Sequence, residues 1–459
     1  MRGKVDRAKR GLRMDWFWAP DDWLTRLTLQ RGIGLTYLIA YLVTLNQFRP
    51  LLGERGLTPV PRFVEVISFR QAPSIFHLRY SDRFLTATAW AGFAGSLAIV
   101  VGLTDRAPTA VVMLLWLFLW VLYVSIVNVG QTFYSFGWES LLCEAGFLAI
   151  FLGSAAGPEP PVLVIWLFRW LLFRVEFGAG LIKIRGDRCW RDLTCLNYHH
   201  ETQPMPNPLS WYFHHLPPSL HRVEVLGNHF AQLIVPFGLL FPQPVSGIAG
   251  MIILVTQGWL VVSGNFSWLN FITMVLALSA FDSGWLHHVV PISPPGPLSS
   301  TPLWFATVVI CVTGGVIVLS WWPVRNMVSR RQLMNASFNK LHLVNTYGAF
   351  GSVTRVRREV VLEGTRDEEP GPSTVWEEYE FKGKPGDVRR RPPQIAPYHL
   401  RLDWLMWFAA LSPSYSQDWI VPLLVRLLEN DAPTLKLLRR NPFVESPPHF
   451  VRARLYRYR

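Results

Sequence analysis

The sequence predicts a polytopic α-helical membrane protein of about nine transmembrane helices, followed by a small C-terminal α+β soluble domain with an antiparallel sheet. Three observations predict it. Half of the residues are hydrophobic and only 16% are charged, against about 25% in an ordinary soluble chain. Apolar runs near 20 residues long, about the length that crosses a bilayer, recur between residues 26 and 322. Beyond Trp322 the pattern changes to polar stretches with strand-like alternation and turn residues.

Residues 1–25 carry Arg2, Lys4, Arg7, Lys9, Arg10 and Arg13, with Asp6 the one acid among the first 13 residues. No apolar core follows directly and no small-residue cleavage site appears, so the segment reads as a cytoplasmic anchor rather than a signal peptide. The transmembrane region, 26–322, offers candidate spans at 84–103, 108–127, 137–153, 162–183, 224–241, 245–263, 265–282 and 303–322. A weaker candidate lies at 26–46. The segments near 245–282 almost abut, and a re-entrant one among them reduces the count to seven or eight. Starting from a cytoplasmic N-terminus, nine spans place the loops 47–83, 128–136 and 184–223 on the same extracytoplasmic face as the tail. Loop 47–83 is long enough to hold an amphipathic surface helix. Residues 283–302, rich in Pro, Ser and Gly, read as a connector.

In the tail, 335–459, SVTRVRREVVLEG and HFVRARLYRYR alternate like strands, and WEEYEFKGKPGD reads as a strand entering a turn. Val451, Ala453 and Leu455 alternate with Arg452, Arg454 and Tyr456, the period of a half-buried strand. RLDWLMWFAAL and DWIVPLLVRLLEN read as helices, the second with an early Pro422.

The net charge of +13 sits at the N-terminus, in loops and in the tail. That distribution orients a membrane protein, and no recognition motif accompanies it that would point to nucleic acid. The loop 185–217 holds Cys189 and Cys195, whose spacing matches neither a zinc knuckle nor a CxxC redox motif. A disulfide in an oxidising compartment and free thiols are the two readings. His199, His200, His214 and His215 read as hydrogen-bonding or water-facing residues rather than metal ligands, and no cofactor is expected. Within the spans, Arg169, Glu176 and Lys183 recur every seven residues and share a helix face. With Glu144 they define a candidate polar cavity, because intramembrane charges face a bundle interior or pair with one another. Glu144 in an apolar helix is either paired, with Arg169 or Arg174 as the candidate partner, or protonated. Cys143 and Cys311 read as inert packing residues. Asn228 and His229 read as a cap or as vestibule residues. No GxSxG, HExxH, P-loop or GxGxxG is present.

RGDRCWRDLTCLNYHHETQPMPNPLSWYFHHLP (185–217) and NTYGAFGSVTRVRREVVLEG (345–364) resemble signatures of the lipase maturation factor family. KPGD (384–387), PYHLRLDWLMWFAAL (397–411), LLRRNPF (437–443) and PPHFVRARLYRY (447–458) are similar to its C-terminal domain, and NVGQTFYSFGWESLLCEAGFLA (128–149) to its transmembrane half. The resemblance implies a non-catalytic membrane protein that helps secreted homodimeric lipases, such as lipoprotein lipase, reach their active form through a lumenal C-terminal domain. It implies the endoplasmic reticulum membrane in a eukaryote and the plasma membrane in a bacterium. The motif positions Trp190, Arg191, Asp192, His199, His200, Glu201, Asn207, Trp211, Tyr347, Gly348, Arg401, Asp403, Trp404, Asn441 and Pro442 become candidates for client contact. A more distant similarity to the vitamin K-dependent γ-carboxylase group leaves an alternative. In that reading the chain is a membrane-embedded enzyme or lipid-handling protein using the cavity of Glu144, Arg169, Glu176 and Lys183.

Overall fold

Apolar side chains dominate the first two thirds of the chain, and they fold into a bundle of helices on one end of which a small sheet-containing region rests. The computed structural model describes residues 17–294, 296, 298–299 and 301–458. The basic residues expected to anchor the N-terminus in the cytoplasm lie outside the described residues.

Four helices are long and apolar enough to cross a membrane: Asp82–Val100, Thr109–Val129, Val245–Ser263 and Leu303–Val328. The count of about nine spans is not supported. Gly137–Ala149 has 13 residues, a rise of about 20 Å against a hydrocarbon thickness of about 30 Å. Leu269–Ala277 is shorter still and ends in a tight turn through Ala280. Pro218–Leu233 stops where Pro236 begins a separate turn. Trp23–Leu52 and Val162–Arg185 are long enough, but the first carries Arg26, Arg31 and Arg49 and the second Arg169, Arg174, Glu176, Lys183 and Arg185. Hydropathy marks residues that are buried, and burial among protein neighbours extends well beyond the helices able to face lipid.

The loops between these helices fold back onto shared ends of the bundle. At one end, Arg26 donates to the carbonyls of Pro158 and Ala155, and Thr25 donates to that of Phe281. At the other, Gln47 near the end of the same helix donates to the His399 carbonyl at 2.6 Å. The segment 53–81 holds one short helix, Val60–Val66, followed by exposed Phe69 and Leu78.

The C-terminal region forms two antiparallel sheets from five strands: β1 Arg358–Thr365, β2 Glu377–Glu378, β3 Glu380–Phe381, β4 Leu438–Arg440 and β5 Phe450–Arg457. The order is β2-β1-β5 in one sheet and β3-β4 in the other. Leu362 pairs with Ala453 and Val360 with Leu455. The expected half-burial of β5 is not found, since Ala453 and Leu455 are exposed. This strand is an edge, and of its alternating apolar residues only Val451 packs against the core. The helices Arg401–Leu411 and Ile420–Leu428 pack beside the sheet, and Leu402, Trp404, Leu405 and Met406 continue the bundle's apolar core.

Candidate functional site

Several polar joints fasten the C-terminal region to the bundle, and three of them hold the residues singled out on the sequence. The first is built on Arg401, at the first turn of its helix. Its guanidinium donates to Glu139 at 2.7 Å and to the Phe133 carbonyl at 2.8 Å, and it lies 3.4 Å over the Tyr134 ring. Both charges are fully buried. Burial works against the charge on Arg401, yet Glu139, with Tyr134 and Tyr123 beside it, holds the guanidinium above its usual range. Tyr123 donates to the other oxygen of Glu139. His399 stands among Phe136, Trp138 and Trp268, and burial pushes it down to about 4 against the pull of Glu139. Its Nδ1 accepts from the Trp138 indole at 3.4 Å, as a neutral ring does. Asp403, on the same helix, accepts from the backbone of Gly383 at 2.6 Å and Lys384 at 2.9 Å. Burial pushes its carboxyl up while these two bonds oppose the shift. Trp404 is buried against Trp138.

The second joint ties the stretch after the last apolar helix to the bundle. Glu144 pairs with Arg174 and accepts from the Asn345 backbone at 3.0 Å and the Tyr347 hydroxyl at 2.8 Å. Of the two partners open to Glu144 on the sequence, the structure brings Arg174. Gly348 follows, its N–H on Asn335. A Cβ on Gly178 would stand 2.5 Å from the Tyr347 carbonyl, so a hydrogen is all this crossing admits.

The third joint holds the 185–217 loop. Cys189 and Cys195 form a disulfide with Cα atoms 4.8 Å apart. It closes a small core of Trp190, Val225 and Val353. The Trp190 indole donates to the Phe350 carbonyl at 2.8 Å, and His229 contacts the Trp190 carbonyl at 3.0 Å. Asp187 caps the short Arg188–Arg191 helix through the Cys189 N–H and pairs with Arg355 at 3.0 Å. These contacts hold its carboxyl below the usual range, the Cys189 bond first. Asn207 is buried, capping Leu209 and donating to Gln394. Burial lowers His199 to about 4, with Lys183 adding to the effect, and lowers His200 to about 2.

Of the residues grouped on the sequence as one polar cavity, Glu144 and Arg169 are partnered apart, while Glu176 and Lys183 share Gln232 as a neighbour. Glu144 belongs to the second joint. Arg169 donates to the Ser279 carbonyl at 2.7 Å, Glu176 accepts from Gln257 at 2.6 Å, and Lys183 donates to Gln232 at 2.7 Å and Asn228 at 3.2 Å. No two of the four pair directly among the described residues. Cys143 is buried and free, and Cys311 is exposed on an apolar helix.

Most motif residues therefore face inward: Trp190, His199, His200, Asn207, Tyr347, Gly348, Arg401, Asp403 and Trp404 are buried. Arg191, Asp192, Glu201 and Trp211 are exposed, with Tyr212 beside Trp211. Asn441 and Pro442 form a half-buried turn, Asn441 accepting from the Phe443 N–H at 2.9 Å. Sequence reasoning passed over Glu139 as the partner of Arg401, and His221 with Glu224 as neighbours of His200. The signal for the last pair was their three-residue spacing on one helical face.

A helical membrane region bearing this tail defines a class, and the comparisons identify it: the chain belongs to the lipase maturation factor family. Residues 24–288 match the lipase maturation factor transmembrane domain and residues 343–459 the lipase maturation factor C-terminal domain. It is an integral membrane protein. The chain is 45% identical to lipase maturation factor 1 of Homo sapiens, over 95% of this chain and 83% of that protein. It is 44% identical to lipase maturation factor 1 of Bos taurus, over 95% and 84%. Against lipase maturation factor 2 of Mus musculus the identity is 29%, over 93% and 78%. No solved structure matches the chain.

Proposed function

We propose that the protein is a membrane-bound maturation factor that assists the folding or assembly of lipases, or of related clients, on the extracytoplasmic side. The observation that carries this reading is the family match across both halves of the chain. We further infer that residues 343–459 and the 185–217 loop work together on that side. Their attachment to one end of the bundle supports this, as does the Cys189–Cys195 disulfide, since such bonds persist in oxidising compartments. In a eukaryotic host the membrane is that of the endoplasmic reticulum, and in a bacterial one the plasma membrane.

Client contact falls to exposed residues. Trp211 and Tyr212 are 64% and 57% exposed on the Cys-bearing loop, and exposed aromatics are strong anchors at interfaces. A secreted lipase is co-expressed with this chain in cells deleted for their own factor, and activity per mass of secreted lipase is measured. The wild-type chain restores it, and Trp211→Ala with Tyr212→Ala reduces it while thermal stability stays unchanged. Equal lipase activity with and without the chain refutes the function. Full activity of the double variant refutes the surface alone.

A further inference from the structure

The 185–217 loop contains an unexplained imidazole. His200, on the Leu196–Thr202 helix, is 4% exposed. Neither of its ring nitrogens has a hydrogen-bond partner among the described residues. Leaving a buried polar group unpaired costs about 1–3 kcal/mol, so two bare nitrogens on one ring call for a partner. Stacking against Phe213 and His221, with centroids 5.5 and 5.7 Å away, supplies none.

Two further groups complete the arrangement. His221 and Glu224 lie three residues apart at the start of the Pro218–Leu233 helix, a spacing that puts them on one face. One nitrogen or oxygen from each of His200, His221 and Glu224 lies within 4.8 Å of the other two. The protons around His221 are short by one for a neutral ring. Nε2 faces the His214 carbonyl at 3.4 Å and Nδ1 faces a Glu224 oxygen at 3.0 Å. Both neighbours are acceptors, while a neutral imidazole carries a single N–H. If that N–H is spent on the carbonyl, a bare nitrogen lone pair confronts a carboxylate, and something positive belongs between them.

We propose that His200, His221 and Glu224 form a binding site for a divalent cation of the zinc class, which pins the Cys-bearing loop to the Pro218–Leu233 helix. Two imidazoles and a carboxylate are a donor set such ions take, with bonds of about 2.0–2.2 Å that bring ligand atoms to roughly 3.3 Å from one another. The His221–Glu224 spacing is already close to that, and drawing in His200 completes the set. Outer partners orient the ligands, as metal sites require. The Trp259 indole donates to the other Glu224 oxygen at 3.0 Å, and the His214 carbonyl fixes the tautomer of His221. The site exposes two elements' worth of chain to one ion, and its role is structural in the same sense as the disulfide that closes the loop's other end.

The test uses the untagged full-length chain in detergent, so that no tag binds metal. Bound zinc is measured by mass spectrometry after desalting, and zinc affinity by titration against a chromophoric chelator. His200→Ala and Glu224→Gln are compared with wild type. His215→Ala serves as a control, because His215 bonds the carbonyl of Trp211 on its own helix. Wild type and the control bind one zinc per chain, and both site variants lose at least about tenfold in affinity. Zinc also raises the melting temperature of wild type but not of Glu224→Gln, which keeps the Trp259 hydrogen bond and carries the test should His200→Ala fail to fold. Wild type that binds zinc no more tightly than either site variant overturns the proposal. Neither readout depends on a lipase, so it stands or falls apart from the proposed function.

Discussion

Arg401 is the side chain whose removal should do most damage to the seat of the C-terminal region. Its guanidinium and the Glu139 carboxylate are fully buried 2.7 Å apart. Arg401→Ala removes the cation and leaves the carboxylate with the Tyr123 hydroxyl and a neutral His399 at 3.7 Å. Breaking a buried pair in this way costs about 3–5 kcal/mol. The contact with the Tyr134 ring at 3.4 Å is lost as well, and a desolvated cation–π contact is worth up to about 2 kcal/mol. Because the two terms share one side chain they do not simply add, and the lower range is the firmer expectation. The helix Arg401–Leu411 should detach first, since its first turn is where the pair sits. Unfolding of the detergent-solubilised chain is followed by tryptophan fluorescence, with proteolysis of the 393–400 stretch as a local probe. Glu139→Gln and the double variant complete a cycle, for which residues in direct contact give a coupling energy above about 0.5 kcal/mol. Additive effects, or an Arg401→Ala chain as resistant as wild type, refute the reasoning.

Three further outcomes follow from the same joints. His399 is neutral in the fold, at about 4 against 6.5 when unfolded, so the unfolded chain takes the proton first as pH falls. Stability should be level above pH 6.5 and decline by about 1.4 kcal/mol per pH unit down to about 4, with half-buried His342 adding in the same direction; equal melting temperatures at about pH 7 and about pH 5 refute it. Gly178→Ala drives a methyl onto the Tyr347 carbonyl and should cost about 1–3 kcal/mol, whereas Gly227→Ala meets nothing within 4 Å and should gain up to about 1 kcal/mol in helix propensity; denaturation that ranks the two alike counts against the packing. Cys189→Ser opens the disulfide loop at a cost of about 2 kcal/mol, and thiol trapping in unreduced membranes should label neither Cys189 nor Cys195.

What could be read from the sequence follows from what each signal reports. The span expected at 245–263 matches a helix end to end, with Pro244 before it and Gly264 after, and the tail helix at 401–411 is equally well marked. There the apolar run and the punctuation agree. At 137–153 they do not: the helix stops at Ala149 and the chain turns through Gly153 in the left-handed region. Apolar residues run on because they are buried, not because they are helical. The alternation of β5 showed which residues share a face but had no means to show that the face is left uncovered at Ala453 and Leu455. The joints were hidden for another reason. Arg401 and Glu139 are 262 residues apart, and each reads alone as a solvated charge or a membrane anomaly until the fold brings them together.

Why the joint should be ionic at all is a separate question, since apolar side chains of similar volume often hold a buried interface as well or better. Around this pair the surfaces are aromatic and smooth: Phe136, Trp138, Trp268 and Trp404 surround His399. Such surfaces tolerate small rotations at little cost, whereas a guanidinium with three fixed partners tolerates very few. If Arg401 and Glu139 are kept for orientation, Glu139→Leu with Arg401→Met should fold with stability near that of wild type, unlike either single truncation. It should nevertheless restore less lipase activity in the co-expression assay, because the C-terminal region and the Cys-bearing loop would no longer hold one registration. A double variant as stable and as active as wild type would assign the pair to neither purpose. A stable, inactive one would separate the strength of the seat from its geometry, and would place the function in the alignment of two elements rather than in any single motif residue.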